Sequence, residues 1–127
     1  MEVSMEAPVN YSYMVSMLAK PGHAIVEELT ADKAHALHMA VGISGEAGEL
    51  LDAIKKHVIY GKPMDWVNVV EELGDLEFYM EGLRQLVGVT RDEVLRVNTA
   101  KLGKRYSAGT YSNTAAIARE DKADVRI

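Results

Sequence analysis

Two pairs of acidic residues are the part of this sequence that could do chemistry. In the stretch "GISGEAGELLDAIKK", Glu46 and Glu49 stand three positions apart, and "EELGD" repeats that spacing with Glu72 and Asp75. Residues three apart lie on one face of a helix, where like charges repel one another. Paired carboxylates beside apolar helix positions therefore either carry an energetic cost or bind a cation.

The positions of these acids on their helices favour a cation. Advancing about 100° per residue places Glu72 inside the apolar stripe of its helix and Asp75 on the edge of that stripe. Glu46 falls on the shoulder of the stripe of the preceding helix, with Glu49 one step further round. A single such acid is usually satisfied by Lys or Arg, but two matching pairs reverse that expectation. Oxygen ligands from two packed helices suit Mg²⁺ or Mn²⁺ and leave coordination positions for water and phosphate.

A later segment supplies groups that complement an anionic ligand. Asn98, Lys101 and Arg105 share one helix face at spacings of three and four. An amide and two cations suit a phosphate chain, and the same residues also fit a solvated basic face near a helix end. His38 is the histidine best placed to line a pocket. Neither the Glu-x-x-His nor the His-Glu-x-x-His pattern of di-iron and zinc sites occurs.

Helices must position all of these residues. The region from Thr30 to Tyr106 is rich in helix-forming residues with apolar spacings of three and four, and no run alternates as a strand does. We therefore predict an all-α fold. The predicted helices are "YSYMVSMLA", ended by Pro21-Gly22; a helix from the N-cap Thr30 toward Lys56, ended by "YGKP"; one over about 64–87; one from the capping box at Thr90 to about Tyr106; and a short one over 113–122.

Length and composition limit the remaining possibilities. The 127 residues predict one domain, with 1–29 as an N-terminal helix and linker and 107–127 as a C-terminal tail. The absence of cysteine excludes disulfides and thiolate sites and favours a cytoplasmic location. The start "MEVSMEAPVN" lacks the pattern of a secretory signal, and we expect no membrane span. A net charge of −5 argues against general nucleic-acid binding but permits a nucleotide, because metal ions can neutralise its phosphates.

Three stretches, in order along the chain, strongly resemble one protein family. They are "GISGEAGELLDAIKKHVIYGKP", "VVEELGDLEFYMEGL" and "VNTAKLGKRY". They resemble the MazG-like all-α nucleoside triphosphate pyrophosphohydrolases, whose signature is E-x-x-E, a gap, and E-x-x-D. The signature reads here as Glu46-x-x-Glu49, residues 50–71, and Glu72-x-x-Asp75, within a resemblance that runs from about residue 35 to 122.

The resemblance implies a helical bundle that is completed by oligomerisation, as a homodimer or homotetramer. It implies cleavage of a nucleoside triphosphate between its α and β phosphates, with Mg²⁺ as cofactor and Mn²⁺ able to substitute. The implied metal ligands are Glu46, Glu49, Glu72 and Asp75, and the implied substrate contacts are Asn98, Lys101 and Arg105. We add His38 to the substrate contacts because it is the histidine best placed to line the pocket. We expect Glu46 or Glu49 to accept the proton of the attacking water, with Glu71 as an alternative base or supporting residue.

Three functions remain open at this point. The first is hydrolysis of a nucleoside or deoxynucleoside triphosphate, dGTP among the candidates, either to clear it or to supply its monophosphate. The second is a non-catalytic helical module that binds a nucleotide or a partner protein, which the complete set of acids disfavours. The third is a pyrophosphohydrolase that acts on a phosphoribosyl-nucleotide.

Overall fold

The described chain is helical throughout. A computed structural model describes residues 10–122. Residues 1–9, which belong to the stretch that was considered as a secretory signal, and residues 123–127 of the predicted C-terminal tail lie outside that range. Residues 10–122 contain no β-strand, which confirms the all-α prediction. The helices are α1 (Tyr11–Leu18), α2 (Gly22–Glu28), α3 (Ala31–Val58), α4 (Trp66–Val87), α5 (Arg91–Arg105) and α6 (Asn113–Ala118), followed by a 3₁₀ turn (Glu120–Lys122).

The chain divides into two compact units, with the boundary between Ala34 and His35. The first unit contains α1 and α2. The sequence predicted a single helix and a linker for residues 1–29, and α2 was missed. Pro21 precedes α2 with a φ of −61°, so the Pro-Gly pair that ends α1 also begins the next helix.

Side-chain caps and left-handed glycines set the ends of the longer helices. The Thr30 hydroxyl accepts a hydrogen bond of 3.2 Å from the backbone N–H three residues on, as its sequence position predicted. Thr90 and Glu93 form the predicted capping box, with reciprocal hydrogen bonds of 3.1 and 3.2 Å. Gly61 and Gly88 follow α3 and α4 with φ of 68° and 83°, a conformation that glycine adopts without strain.

Two glycine contacts join α3 to α4. Gly42 of α3 lies against the ring of Tyr79, and Gly82 of α4 lies against the sulfur of Met39, so closely that a Cβ on either glycine would overlap its neighbour. From Gly42 to Met39 the contact moves three residues toward the N-terminus of α3, and from Tyr79 to Gly82 it moves three residues toward the C-terminus of α4. The two helices are therefore antiparallel, and their register is fixed at these two points.

An ion pair holds the C-terminal 3₁₀ turn to α5. Arg105 donates from Nε to Asp121 Oδ1 at 2.7 Å and from Nη2 to Oδ2 at 3.1 Å. The side chain of Asp121 is 1% exposed and that of Arg105 is 17% exposed. A two-pronged contact of this kind fixes the orientation of both groups, so the end of the described chain is tied to α5.

Many apolar side chains of the described residues remain exposed. Met39 and Ala53 are the buried apolar residues, whereas Leu51, Phe78 and Val97 are each more than 60% exposed. No helix within residues 10–122 is long and apolar enough to cross a membrane. An apolar surface on this scale is typical of an interaction surface.

Candidate metal centre

The register of α3 and α4 brings their acids together. The antiparallel register of the two glycine contacts, extended along both helices, places Glu46 opposite Asp75 and Glu49 opposite Glu72. Carboxylate oxygens of Glu46, Glu72 and Asp75 all lie within 4.8 Å of one another. Glu49 also reaches the cluster, because it interacts with Glu72 through its charge and a side-chain hydrogen bond. The four acids singled out in the sequence are thus neighbours in the structure.

Glu72 is the buried member of this acidic cluster. It is 7% exposed, and Oε2 of both Glu72 and Glu46 is buried without a hydrogen-bond partner among the described residues. Hydrogen bonding to Glu46, followed by burial and by the negative charge of Glu49, raises the pKa of Glu72 to about 7. Buried carboxylate oxygens without partners are costly. Their presence here indicates that a counter-charge belongs in the cluster.

A hard divalent cation fits this donor set. The cluster offers oxygen atoms alone, from side chains on two helices, and the ion pairs of Lys56 and Arg84 on those helices are made with other acids. Mg²⁺ and Mn²⁺ favour such ligands and retain open positions for water and phosphate. Glu71, considered as an alternative base, is exposed on α4 and stands outside the three clustered carboxylates.

The α5 residues predicted to contact substrate differ in their surroundings. Asn98 is exposed and Lys101 is half-buried. Arg105 is already paired with Asp121, whose carboxylate raises the pKa of the guanidinium, while the pKa of Asp121 itself is lowered. Sequence reasoning missed Asp121, because it stands sixteen positions from Arg105 and no helical spacing relates the two.

Aromatic side chains lie beside the acidic cluster on α4. Tyr79, one turn beyond Asp75, makes edge-to-face contacts with His38 at 6.2 Å and with Phe78 at 5.2 Å between ring centroids. His38, the predicted pocket residue, therefore lies next to the helix that carries half of the acids. Phe78 was not singled out from the sequence, although its spacing of three from Asp75 places both residues on one face.

The family of the chain follows from the second unit. A family model described as the MazG nucleotide pyrophosphohydrolase domain matches residues 35–109, more than half of the chain. The chain belongs to this MazG family. The match begins at the first residue of the second unit and contains both acidic pairs and all of α5. No curated protein and no solved structure gives a significant match. The resemblance identified in the sequence is thereby confirmed.

Proposed function

We propose that this protein hydrolyses a nucleoside or deoxynucleoside triphosphate between the α and β phosphates, with Mg²⁺ as cofactor and Mn²⁺ as a substitute. The products are the nucleoside monophosphate and pyrophosphate, and dGTP is among the candidate substrates. The observation that carries this proposal is the pair of buried, unpartnered carboxylate oxygens on Glu46 and Glu72 within the acidic cluster. Membership of the MazG family supports the nucleotide and the type of reaction.

Each acid has a role in this proposal. The proposed metal ligands are Glu46, Glu49, Glu72 and Asp75. A divalent cation in the cluster supplies charge neutralisation for the phosphate chain and acidifies a water molecule. Glu49 is exposed and stands outside the group of three clustered carboxylates, so we assign it as the base that accepts the proton of the attacking water. Glu46 is the alternative base.

The remaining predicted residues act on the substrate. Asn98 donates from its amide and Lys101 from its ammonium group to phosphate oxygens. Arg105 can join them by exchanging the carboxylate of Asp121 for a phosphate oxygen, since both ligands suit the planar guanidinium. His38, held beside Tyr79, lines the nucleoside side of the site.

We further propose that the protein is a homodimer or homotetramer. Exposed apolar side chains on α3, α4 and α5, such as Leu51, Val67 and Val97, supply surface for contact between copies. Subunit interfaces are enriched in such residues at their buried centres.

Substitutions in the acidic cluster test the proposed function. Glu49→Gln and Asp75→Asn keep size and shape but remove a negative charge, so we expect each to lower turnover by more than about 100-fold. Circular dichroism checks that each variant remains helical, and Mn²⁺ titration measures the loss of metal affinity. Asp52→Asn is the matched control, because Asp52 lies on α3 but pairs with Lys56 at 2.9 Å. Near-normal turnover in either cluster variant contradicts the proposed site.

A further inference from the structure

A groove opens between α3 and α4 beyond the acidic cluster. Its volume is about 570 Å³. His35 and Met39 line it from α3, and Phe78, Gly82 and Gln85 line it from α4. A groove of this size is within the range of small-molecule sites in proteins.

The groove lies further along the two helices that carry the acids, and none of the four acids lines it. Asp75, Phe78, Gly82 and Gln85 stand on one face of α4 at spacings of three, four and three. On the facing side of α3, the residues His35 and Met39 that line the groove precede Glu46 along the helix. A ligand anchored at Asp75 can therefore reach Phe78 along one face of α4.

The distance along α4 suits a nucleoside whose phosphates lie at the acids. At a rise of about 1.5 Å per residue, Phe78 lies about 4.5 Å and Gln85 about 15 Å from Asp75 along the helix axis. A sugar and its base occupy this interval when the α-phosphate lies at the cluster. The groove thus lies within reach of a nucleoside whose phosphates bind at the acids.

The lining of the groove suits a nucleobase. Phe78 is 69% exposed and is held by its edge-to-face contact with Tyr79, so its ring is positioned and accessible. Met39 and Gly82 form an apolar floor, in which the sulfur of Met39 packs directly on the glycine. Gln85 at the rim carries both donor and acceptor groups. Aromatic side chains of this kind stack on bases.

The charges at the rim are already paired with one another. Arg84 lies 2.7 Å from Glu81 and 3.6 Å from Glu77, and its side chain is 13% exposed. These two carboxylates are therefore partly neutralised and repel an anionic substrate less than free acids would. The rim thus accommodates an uncharged base beside the phosphates at the acidic cluster.

We propose that this groove binds the nucleoside of the substrate, with the base stacked on Phe78. This inference rests on the proposed function for the identity of the ligand, and it makes Phe78 a substrate-binding residue. The exposed phenyl ring also suits contact with a second copy of the chain. The experiment is designed to tell these two occupants apart.

Kinetics of Phe78 variants test the proposal. Phe78→Ala removes the stacking surface, so we expect KM for the nucleoside triphosphate to rise roughly tenfold with kcat little changed. Phe78→Trp keeps a stacking surface and should restore KM. Inhibition by inorganic tripolyphosphate, which has no base, should stay unchanged in Phe78→Ala. Val70→Ala is the control, because Val70 is 66% exposed on α4 but does not line the groove.

A binding measurement without catalysis completes the test. In a Trp66→Phe, Phe78→Trp variant the single tryptophan reports on the groove, and we expect nucleoside monophosphate to quench its fluorescence in EDTA. An unchanged KM in Phe78→Ala beside an active wild type overturns the groove and leaves the proposed function standing. A lower oligomeric mass for Phe78→Ala assigns the groove to a subunit interface and also overturns it. If the wild type hydrolyses no nucleotide, the quenching measurement alone decides: quenching supports the groove and its absence overturns it.

Discussion

Among the four clustered acids, Glu72 has the largest conflict between burial and charge. The residue is 7% exposed, and its carboxyl group lies beside two other glutamates and has a pKa raised to about 7. Protonation of Glu72 removes one negative charge from the cluster. A bound divalent cation would neutralise the same charge without a proton. On the proposed function, protonation and metal binding should therefore compete at this residue.

Glu72 gives the metal-free protein a defined pH dependence. Its folded pKa of about 7 exceeds its ordinary value of 4.5, so the folded state holds a proton that the unfolded state releases. The associated stability is complete below pH 4.5 and is lost as the pH rises through about 7. In EDTA we expect the thermal midpoint to fall over this interval, and Mg²⁺ to restore it. Glu72→Gln should remove both effects; the same decline in that variant would contradict the assignment.

Asp121 should stabilise the fold through its contact with Arg105. The guanidinium lowers the pKa of Asp121 below its ordinary value of 3.8, so this stability is present above that value and is lost as the pH falls through the lower folded pKa. We expect Asp121→Asn to lower the thermal midpoint of unfolding at pH 7 by about several degrees. Asp92→Asn is the control, since its pair with Arg96 is more than 70% exposed and should contribute little. Equal effects of the two substitutions would count against a structural role for Asp121.

At the scale of the elements, the contact between α3 and α4 sets the geometry of the acidic cluster. Gly42 and Gly82 allow Tyr79 and Met39 to lie against the opposite helix. A shift of α3 by one residue along α4 would rotate the acids away from one another, because successive helical residues point about 100° apart. The glycines thus contribute to the site without touching a ligand.

A pair of glycine substitutions tests this contact. Glycine within a helix costs about 1 kcal/mol relative to alanine, so Gly48→Ala, with nothing within 4 Å of its added Cβ, should stabilise the protein by about that amount. Gly42→Ala meets the Tyr79 ring, and we expect a net loss of about 1–2 kcal/mol in the free energy of unfolding. Denaturant titration measures both changes. A gain in stability from Gly42→Ala would show that the Tyr79 ring does not pack as closely on Gly42 as the structure indicates.

Local signals in the sequence predicted most of the elements, and contacts between distant residues accounted for what was missed. The caps at Thr30 and Thr90 and the glycine stops are short-range features, so the starts of α3 and α5 and the end of α4 were predicted closely. Helical spacing also found the four acids. Neither spacing nor capping could reveal the partner of Arg105 or the groove beside Phe78, because both depend on how elements pack.

At the scale of the whole molecule, the family match and the division of the chain coincide. The matched region, 35–109, begins where the second compact unit begins and holds the acids, the groove and α5. The first unit, with α1 and α2, lies outside the match. The chemistry that we propose therefore belongs to the second unit, and its helices carry every residue assigned to the acidic cluster.

Pyrophosphate release is the most direct test of the proposed activity. The protein is incubated with each ribonucleoside and deoxyribonucleoside triphosphate in Mg²⁺, in Mn²⁺ and in EDTA, and the products are separated. We predict pyrophosphate and nucleoside monophosphate from one or a few substrates, with no release in EDTA or from Glu49→Gln. Release of single phosphate with a nucleoside diphosphate, release that persists in EDTA, or no release from any triphosphate by the folded protein would contradict the account.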